Sequence, residues 1–565
     1  MAKVKIQGHA SGTGVITLTA PNTDTDRTIT LPDESITLSA GATTLGGLTD
    51  ATTPATGNIG LGTGAVDSIT TGDFNVGVGT SAGTGITTGS GNVAIGYETF
   101  NTNSTGSNNT AVGKESLQNN TTASNNTATG YRSLKMNATG AYNAAFGDSA
   151  LAQNTASFNT AVGSLAGSNI TSGGYNTTIG AAAGDAITTG GYNTANGAYS
   201  LSENTTGSNN TAVGYKAAMT NTTGGNNTVV GRRALENNTT GASNNAIGYN
   251  ALFYNTTGSS NVAIGQSALQ GNTTASNNVA VGHQALEANT TGSDNVAVGK
   301  SALKANTTGS TLTALGINTL ESNTTGSSNT GLGQGALNAN TTGSEATAVG
   351  RNALINQTTA TNNVAVGFDC MKTVTTGGEN TSVGTYALQA VTNGNNNTAI
   401  GYASGQTTTS GTYNIMLGRA AYSSSAAASN ECTLGGTYVN NLRCNDTSIS
   451  SLSDSRDKTS IEDIPLGLAF INTVRPVAFD WNCREDNEDL GLVGEMDVHK
   501  AGKKDFGFIA QELKTAADAT DYADHMRLVS ESNPNRLEAD PMKMFPILIK
   551  AIQELSAKVT ALESE

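Results

Sequence analysis

Glycine returns every seventeen residues through two thirds of this chain, and that period decides what it can fold into. The glycine closing the cue Asn-x-Ala-Val/Ile-Gly stands at Gly62, Gly79, Gly96, Gly113, Gly130 and Gly147, then at Gly163, and continues in seventeens to Gly418 and Gly435. Of the twenty-two intervals between these twenty-three glycines, only Gly147 to Gly163 differs, at sixteen. A leucine commonly stands four residues after the glycine, as at Leu117, Leu235, Leu269 and Leu337.

Seventeen residues cannot close a hydrophobic core alone, but stacked coils can share one. Asn-Val-Ala-Val before Gly299 alternates as a short two-faced strand. Asn-Thr-Thr-Gly reads as a turn, with Gly free to take positive φ and Asn able to bond its own backbone. The expected unit is a coil of two short strands and two turns. The Val or Ile before each glycine and the Leu four after it would fill a thin interior. Twenty-three coils at the interstrand spacing of about 4.8 Å would extend roughly 110 Å. The expected fold class is therefore mainly β, a β-solenoid whose open ends call for caps or oligomerisation.

Composition narrows the function. Charged residues are 13% of the chain and hydrophobic ones 36%, against about 25% and 45–50% in ordinary domains. Such a chain is no conventional enzyme with several thick cores, and its periodic Ala, Val, Ile and Leu argue against disorder. A net charge of -15 removes the basis for sequence-independent nucleic-acid binding. No uncharged apolar stretch approaches the roughly 20 residues of a membrane-spanning helix, and no apolar core follows the basic residues near Met1, so neither membrane insertion nor a signal peptide is expected. Cys370, Cys432, Cys444 and Cys483 form no C-x-x-C pair, so neither a disulfide framework nor a zinc site is expected. No metal or cofactor is expected at all, and synthesis in a reducing cytosol fits. Turn chemistry explains the Asn-x-Thr sequons without glycosylation, and a polar outer face explains the Thr pairs without ice binding. Carboxylates in residues 62–435 are too scattered for a polysaccharide-cleaving pair.

The Asn-x-Ala-Val/Ile-Gly repeats resemble the head repeats of trimeric autotransporter adhesins, which form left-handed parallel β-rolls packed three around an axis. Those adhesins also carry a signal peptide and a C-terminal membrane barrel, neither of which is expected here. Residues 1–60 differ from the repeat: Gly14-Val-Ile-Thr-Leu-Thr and Arg27-Thr-Ile-Thr-Leu-Pro alternate as half-buried strands around the turn Pro21-Asn-Thr-Asp-Thr-Asp. The segment Gly12 to Ala40 resembles N-terminal modules of bacteriophage tail fibres, particularly of cyanobacterial viruses. That resemblance implies docking of the N-terminus on phage tail or baseplate proteins.

Composition changes after about residue 450. Residues 453–565 hold 13 Lys+Arg and 22 Asp+Glu, with the only Trp (Trp481), and read as a separate α+β domain. The expected organisation is thus an N-terminal module over 1–60, a shaft over 61–435, a tip or linker over 436–452 and this domain over 453–565. Four markers stand in order within it: Ser453-Asp-Ser-Arg-Asp-Lys458, Val474-Arg-Pro-Val-Ala-Phe-Asp-Trp481, Gly507-Phe-Ile-Ala-Gln-Glu512 and a terminal helix. Together they resemble the intramolecular chaperone domain of endosialidase-type phage tail proteins, a self-cleaving peptidase family. The resemblance implies cleavage between Leu452 and Ser453, with Ser453 as nucleophile and Lys458 as general base. A lysine must be uncharged to take a proton, which calls for burial. Such cleavage is one intramolecular turnover, with no external substrate.

After Pro546, the residues Leu548, Ile552, Leu555, Val559 and Leu562 follow the 4-3-4-3 rhythm of a coiled coil. Glu554 and Lys558 form a favourable i, i+4 pair. In the family it resembles, this helix helps bring three chains together. The combined expectation is a homotrimeric phage tail fibre, assembled in the host cytoplasm and carried on the virion tail, that recognises a host-surface glycan or protein receptor. The alternatives are a bacterial or prophage trimeric adhesin without cleavage, and a glycan-degrading tailspike.

Overall fold

The computed structural model describes residues 56–436, 439, 458–480, 504–531 and 537–564. The strands expected near Gly14 and Arg27, and nearly all of the tip 436–452, lie outside these residues.

The seventeen-residue period becomes one parallel sheet of twenty-three strands, β1 (Ile59–Leu61) to β23 (Cys432–Leu434), each three residues long. Each strand pairs in register with the equivalent residues of the next coil, as Val262, Ala263 and Ile264 do with Val279, Ala280 and Val281. The sixteen-residue interval falls between β6 (Ala144–Phe146) and β7 (Thr160–Val162) without breaking that register. The repeat is therefore a parallel β-solenoid, as its period predicts, and its first described strand begins at Ile59.

Two expectations need correction. Each coil has one strand, not two, and the rest of the coil is turns held by coil-to-coil hydrogen bonds. A second strand is impossible because the residue four after the glycine, such as Leu235 or Leu252, has φ near +50°. The interior is also filled differently. The central strand residue faces inward, so Ala94, Ala263 and Ala297 are fully buried, while the flanking Val and Ile face outward. Alternation puts positions one and three of a strand on the same face, and the lumen takes the small residue. Leu315, just before Gly316, is 51% exposed. The expected leucines do lie inside: Leu201, Leu235, Leu269 and Leu286 are fully buried and stack along the axis.

Asparagine completes the interior. Asn261 donates its backbone N–H to Oδ1 of Asn244 at 3.0 Å and its side-chain amide to Ala275 O at 2.9 Å. This ladder at the strand entrance runs from Asn58 onward, and Leu312 and Ala346 interrupt it while keeping the backbone bond. A second ladder starts each Asn-Thr-Thr-Gly turn: Asn255 Nδ2 reaches Asn238 Oδ1 at 2.8 Å and Gly258 O at 2.9 Å. The first Thr adds a third, with Thr256 Oγ1 donating to Thr273 O at 3.0 Å. Buried amides are tolerated because nearly all are paired; Asn120 Oδ1 is an exception, left without a partner.

The glycines have two separate reasons. Gly265, closing a strand, has φ +134°, and a Cβ there would stand 2.5 Å from Gly282 O. The turn glycine was expected at positive φ and is not there. A Cβ on Gly258 would collide with Ala275 O and Asn255 Oδ1, so close stacking, not backbone handedness, requires it.

Past the solenoid, the described elements are α1 (Leu468–Ile471), β24 (Val477–Asp480), β25 (Lys504–Gly507), α2 (Ala510–Asp518), α3 (Ala523–Met526), β26 (Val529–Ser530), β27 (Glu538–Ala539) and α4 (Phe545–Glu563). Strands β24 and β25 pair antiparallel, as do β26 and β27. Phe470, Leu513, Ala517, Met526, Leu528, Met544 and Ile547 make one small core, giving this region the α+β character expected of it.

Candidate functional site

The C-terminal markers separated in sequence meet in space. Val477 of the second marker pairs with Gly507 of the third across β24 and β25. Two residues before Val477, Arg475 Nε donates to Glu512 Oε2 at 2.9 Å, and Arg475 Nη2 donates to Glu512 Oε1. This two-pronged pair holds the Glu512 carboxyl below its ordinary range, because Arg475 bonds to its charged form. It clamps the start of α2 onto the turn preceding β24.

The fourth marker joins through a different contact. Glu554, halfway along α4, accepts the backbone N–H of Leu468 at 2.8 Å. That N–H opens α1, where donors lack partners within the helix and a carboxylate is favoured. The sequence pairs Glu554 with Lys558, and the structure assigns it to Leu468 instead. Gly467 makes this possible, since a Cβ there would fall on the Glu554 carboxylate.

Pro546 sits in the first turn of α4, where its missing N–H costs nothing. The helix has two unlike faces. Ile547 and Ala551 are buried in the domain, whereas Leu548, Ile552, Leu555, Val559 and Leu562 form an exposed stripe, with Leu562 at 72%. The five residues expected to join chains are thus left exposed among the described residues.

The two residues of the expected dyad are not brought together here. Leu452 and Ser453 lie outside the described residues, while Lys458 stands at the start of a described segment whose first eight residues, to Pro465, are all exposed. Burial of a neutral Lys458 is therefore not supplied by the described residues of a single chain. Among the described residues, no group of three His, Cys, Asp or Glu could hold a metal ion, and no helix is long and apolar enough to cross a membrane.

The shaft carries a second surface that sequence reasoning placed inside. Its outward residues just before each closing glycine, such as Ile264, Val281 and Val298, repeat in register and form one apolar stripe interrupted at Thr129 and Asn196, while the outward position at each strand's start is commonly threonine, as at Thr110, Thr211 and Thr347. Strict alternation around the buried Ala was the signal that could have revealed it.

Residues 453–525 match the model of the family described as the chaperone of endosialidase. No curated protein and no solved structure matches the chain. A β-solenoid shaft followed by a chaperone-of-endosialidase segment is the make-up of a fibre-type or tailspike-type protein with a C-terminal chaperone.

Proposed function

We propose that this chain is a homotrimeric bacteriophage tail fibre. In this reading its C-terminal segment guides assembly of three chains and then cuts itself off between Leu452 and Ser453. The mature fibre, residues 1–452, docks on the tail or baseplate through its N-terminus and attaches to the host surface. The observation that carries the reading is the family match over 453–525, beginning at the serine expected to act as nucleophile.

Two exposed surfaces support association. An apolar stripe of this length exceeds the few hundred Å² that monomers leave uncovered, and copies packed strand face to strand face would cover it. The exposed stripe of α4 would do the same at the C-terminal end. Identical coils make shifted pairings between chains nearly equivalent, so a domain that fixes the alignment before the shaft zips is physically useful. Its removal afterwards would leave the fibre kinetically trapped.

In the trimer, Ser453 would attack the carbonyl of Leu452 while Lys458 takes the hydroxyl proton. The peptide nitrogen of Ser453 then leaves with a proton, and water releases the new C-terminus. A neighbouring chain would supply the burial Lys458 needs, which confines cutting to assembled protein.

A denaturing gel with intact mass on wild type, Ser453→Ala and Lys458→Ala tests this. Fragments of 452 and 113 residues in wild type alone would support it. Exposure of Lys458 favours one other reading, a trimeric adhesin that is never cut. Intact wild-type trimer would decide for that reading and against self-cleavage.

A further inference from the structure

The residue five before each closing glycine has positive φ throughout the shaft, and it is usually one that accepts this conformation, such as Asn209, Asn226 or Ser243. Phe74 and Tyr413 depart from this singly, and four adjacent coils do so together with Tyr142, Phe158, Tyr175 and Tyr192, at φ +59° to +63°. Leu201 and Leu235 share left-handed backbone because they fill the lumen, whereas these rings lie outside it, with Tyr192 62% exposed. They stack face to face at centroid separations of 5.1, 4.8 and 4.9 Å and within 11° of parallel. Bulky side chains held against local preference in a run, burying nothing in the core, point to a use.

A groove of about 480 Å³ runs along one side of this ladder. Its floor is Gly174 and Gly191, and Ser172 and Thr189 form the opposite wall. Elsewhere the floor position is commonly serine, whose hydroxyl accepts the N–H from the coil before, as Ser107 Oγ does from Ser90 at 3.1 Å. With glycine there, the N–H groups of Ser157 and Gly174 have no protein acceptor and open onto the floor.

The single short coil lies here as well. Ala156 O accepts from Asn143 as Gly173 O does from Asn159, and Thr155 Oγ1 donates to Thr171 O as Thr171 Oγ1 does to Thr188 O. The missing residue is therefore the counterpart of Ser172 and Thr189, the groove wall. Its loss lowers that wall beside Phe158.

We propose that this groove binds an extended neutral glycan. The ring spacing is close to the length of one sugar in an extended chain, so successive sugars would meet equivalent rungs. Ring edges carry the positive end of the aromatic quadrupole, and with phenol hydroxyls, Ser172, Thr189 and the two backbone N–H groups they offer donors to a row of sugar oxygens. None of the lining residues is charged, so the groove offers no cation to an acidic polymer. No lining residue belongs to a strand, so strand-face association of copies does not use them. This proposal deepens the attachment reading above and rests on it for its biological use.

The test applies the full-length product, wild type and the double variant Tyr175→Asn/Tyr192→Asn, to an array of neutral and acidic oligosaccharides. Asparagine is the repeat's own choice at this position, so the variant should keep its melting temperature and oligomeric state. The expected result is retention on extended neutral glycans, weakened at least tenfold in the variant. The proposal is overturned if wild type holds no neutral glycan, if the variant holds it equally, or if the variant instead dissociates, which would make the ladder a contact between copies. Binding to susceptible cells separates the two readings. Variant that still binds cells defeats the groove and leaves attachment standing, while ladder-dependent glycan binding without cell binding defeats attachment alone.

Discussion

Asn255 donates from one side-chain amide both to Asn238 Oδ1 in the coil before, at 2.8 Å, and to Gly258 O in its own turn, at 2.9 Å. The same side chain accepts from Asn272 at 2.8 Å. One buried side chain thus closes its own turn and fastens three successive coils.

Asn255→Ala should therefore cost more than an ordinary lost hydrogen bond. Asn238 Oδ1 loses its donor, whereas Gly258 O keeps the amide of Asn244 and Asn272 keeps Ala275 O. With one buried oxygen left unpaired, a loss of about 1–3 kcal/mol is expected. The urea midpoint and amide exchange in the Asn255 turn would measure it. A loss below about 1 kcal/mol would show that water replaces the amide.

Glu115 gives a pH-dependent prediction. Lys135 Nζ and Arg132 Nε both donate to its carboxylate at 2.8 Å, and these bonds lower its pKa to about 2. A carboxyl depressed in the folded state stabilises fully above its unfolded value near 4.3, and that contribution fades as pH falls towards 2. Glu115→Gln should destabilise by about 1–2 kcal/mol at neutral pH and flatten the acid limb of the stability curve. Melting temperatures of both proteins from pH 7 to 2 would check this, and parallel curves would contradict it.

The unlike faces of α4 should respond oppositely. Ile552→Lys with Leu555→Lys changes only exposed positions and should leave helix content intact while weakening association by tenfold or more. Ala551→Leu overpacks a buried position and should instead lower stability by about 1–3 kcal/mol. Sedimentation velocity beside circular dichroism separates the outcomes, and unchanged association in the double lysine variant would remove α4 from the assembly.

Gly467→Ala should displace the Glu554 carboxylate from the Leu468 N–H, since its methyl would occupy that space, while the core shared by Phe470 and Ile547 keeps α1 and α4 together. Glu554→Gln should be milder, because an amide oxygen can still accept from Leu468. The expected order is a loss of about 2 kcal/mol for the first and below about 1 kcal/mol for the second. Thermal melts of the two variants would test that order.

Much of the shaft was legible because glycine marks the phase of every coil and a three-residue alternation marks the strand. What faced inward was not. Val and Ile outrank Ala in hydrophobicity, so sequence favoured Ile264 over Ala263 for the interior, yet room in the lumen, not apolarity, selects. Asparagine suggested turns, and only the stacked coils show that its amide is the core's polar framework. In the C-terminal segment the markers were visible as separate strings. That Arg475 meets Glu512, or that Glu554 leaves Lys558 for Leu468, depends on long-range packing that no local spacing encodes. The role of Ser453 rested on family resemblance alone, and it lies beyond the described residues.

Every coil presents the next with the same glycine, the same amides and the same strand, so the joint between any two coils is nearly interchangeable. Unequal recombination between repeated seventeen-codon units would delete or add whole coils and leave each remaining joint well formed. Reach can then vary among descendants in steps of one coil, without a compensating change elsewhere. Insertions that are not multiples of the unit would throw the amides out of line and be purged. The shortened coil at Phe158 shows the kind of exception that survives, since its lost residue came from an outer turn that holds no rung of the asparagine ladders.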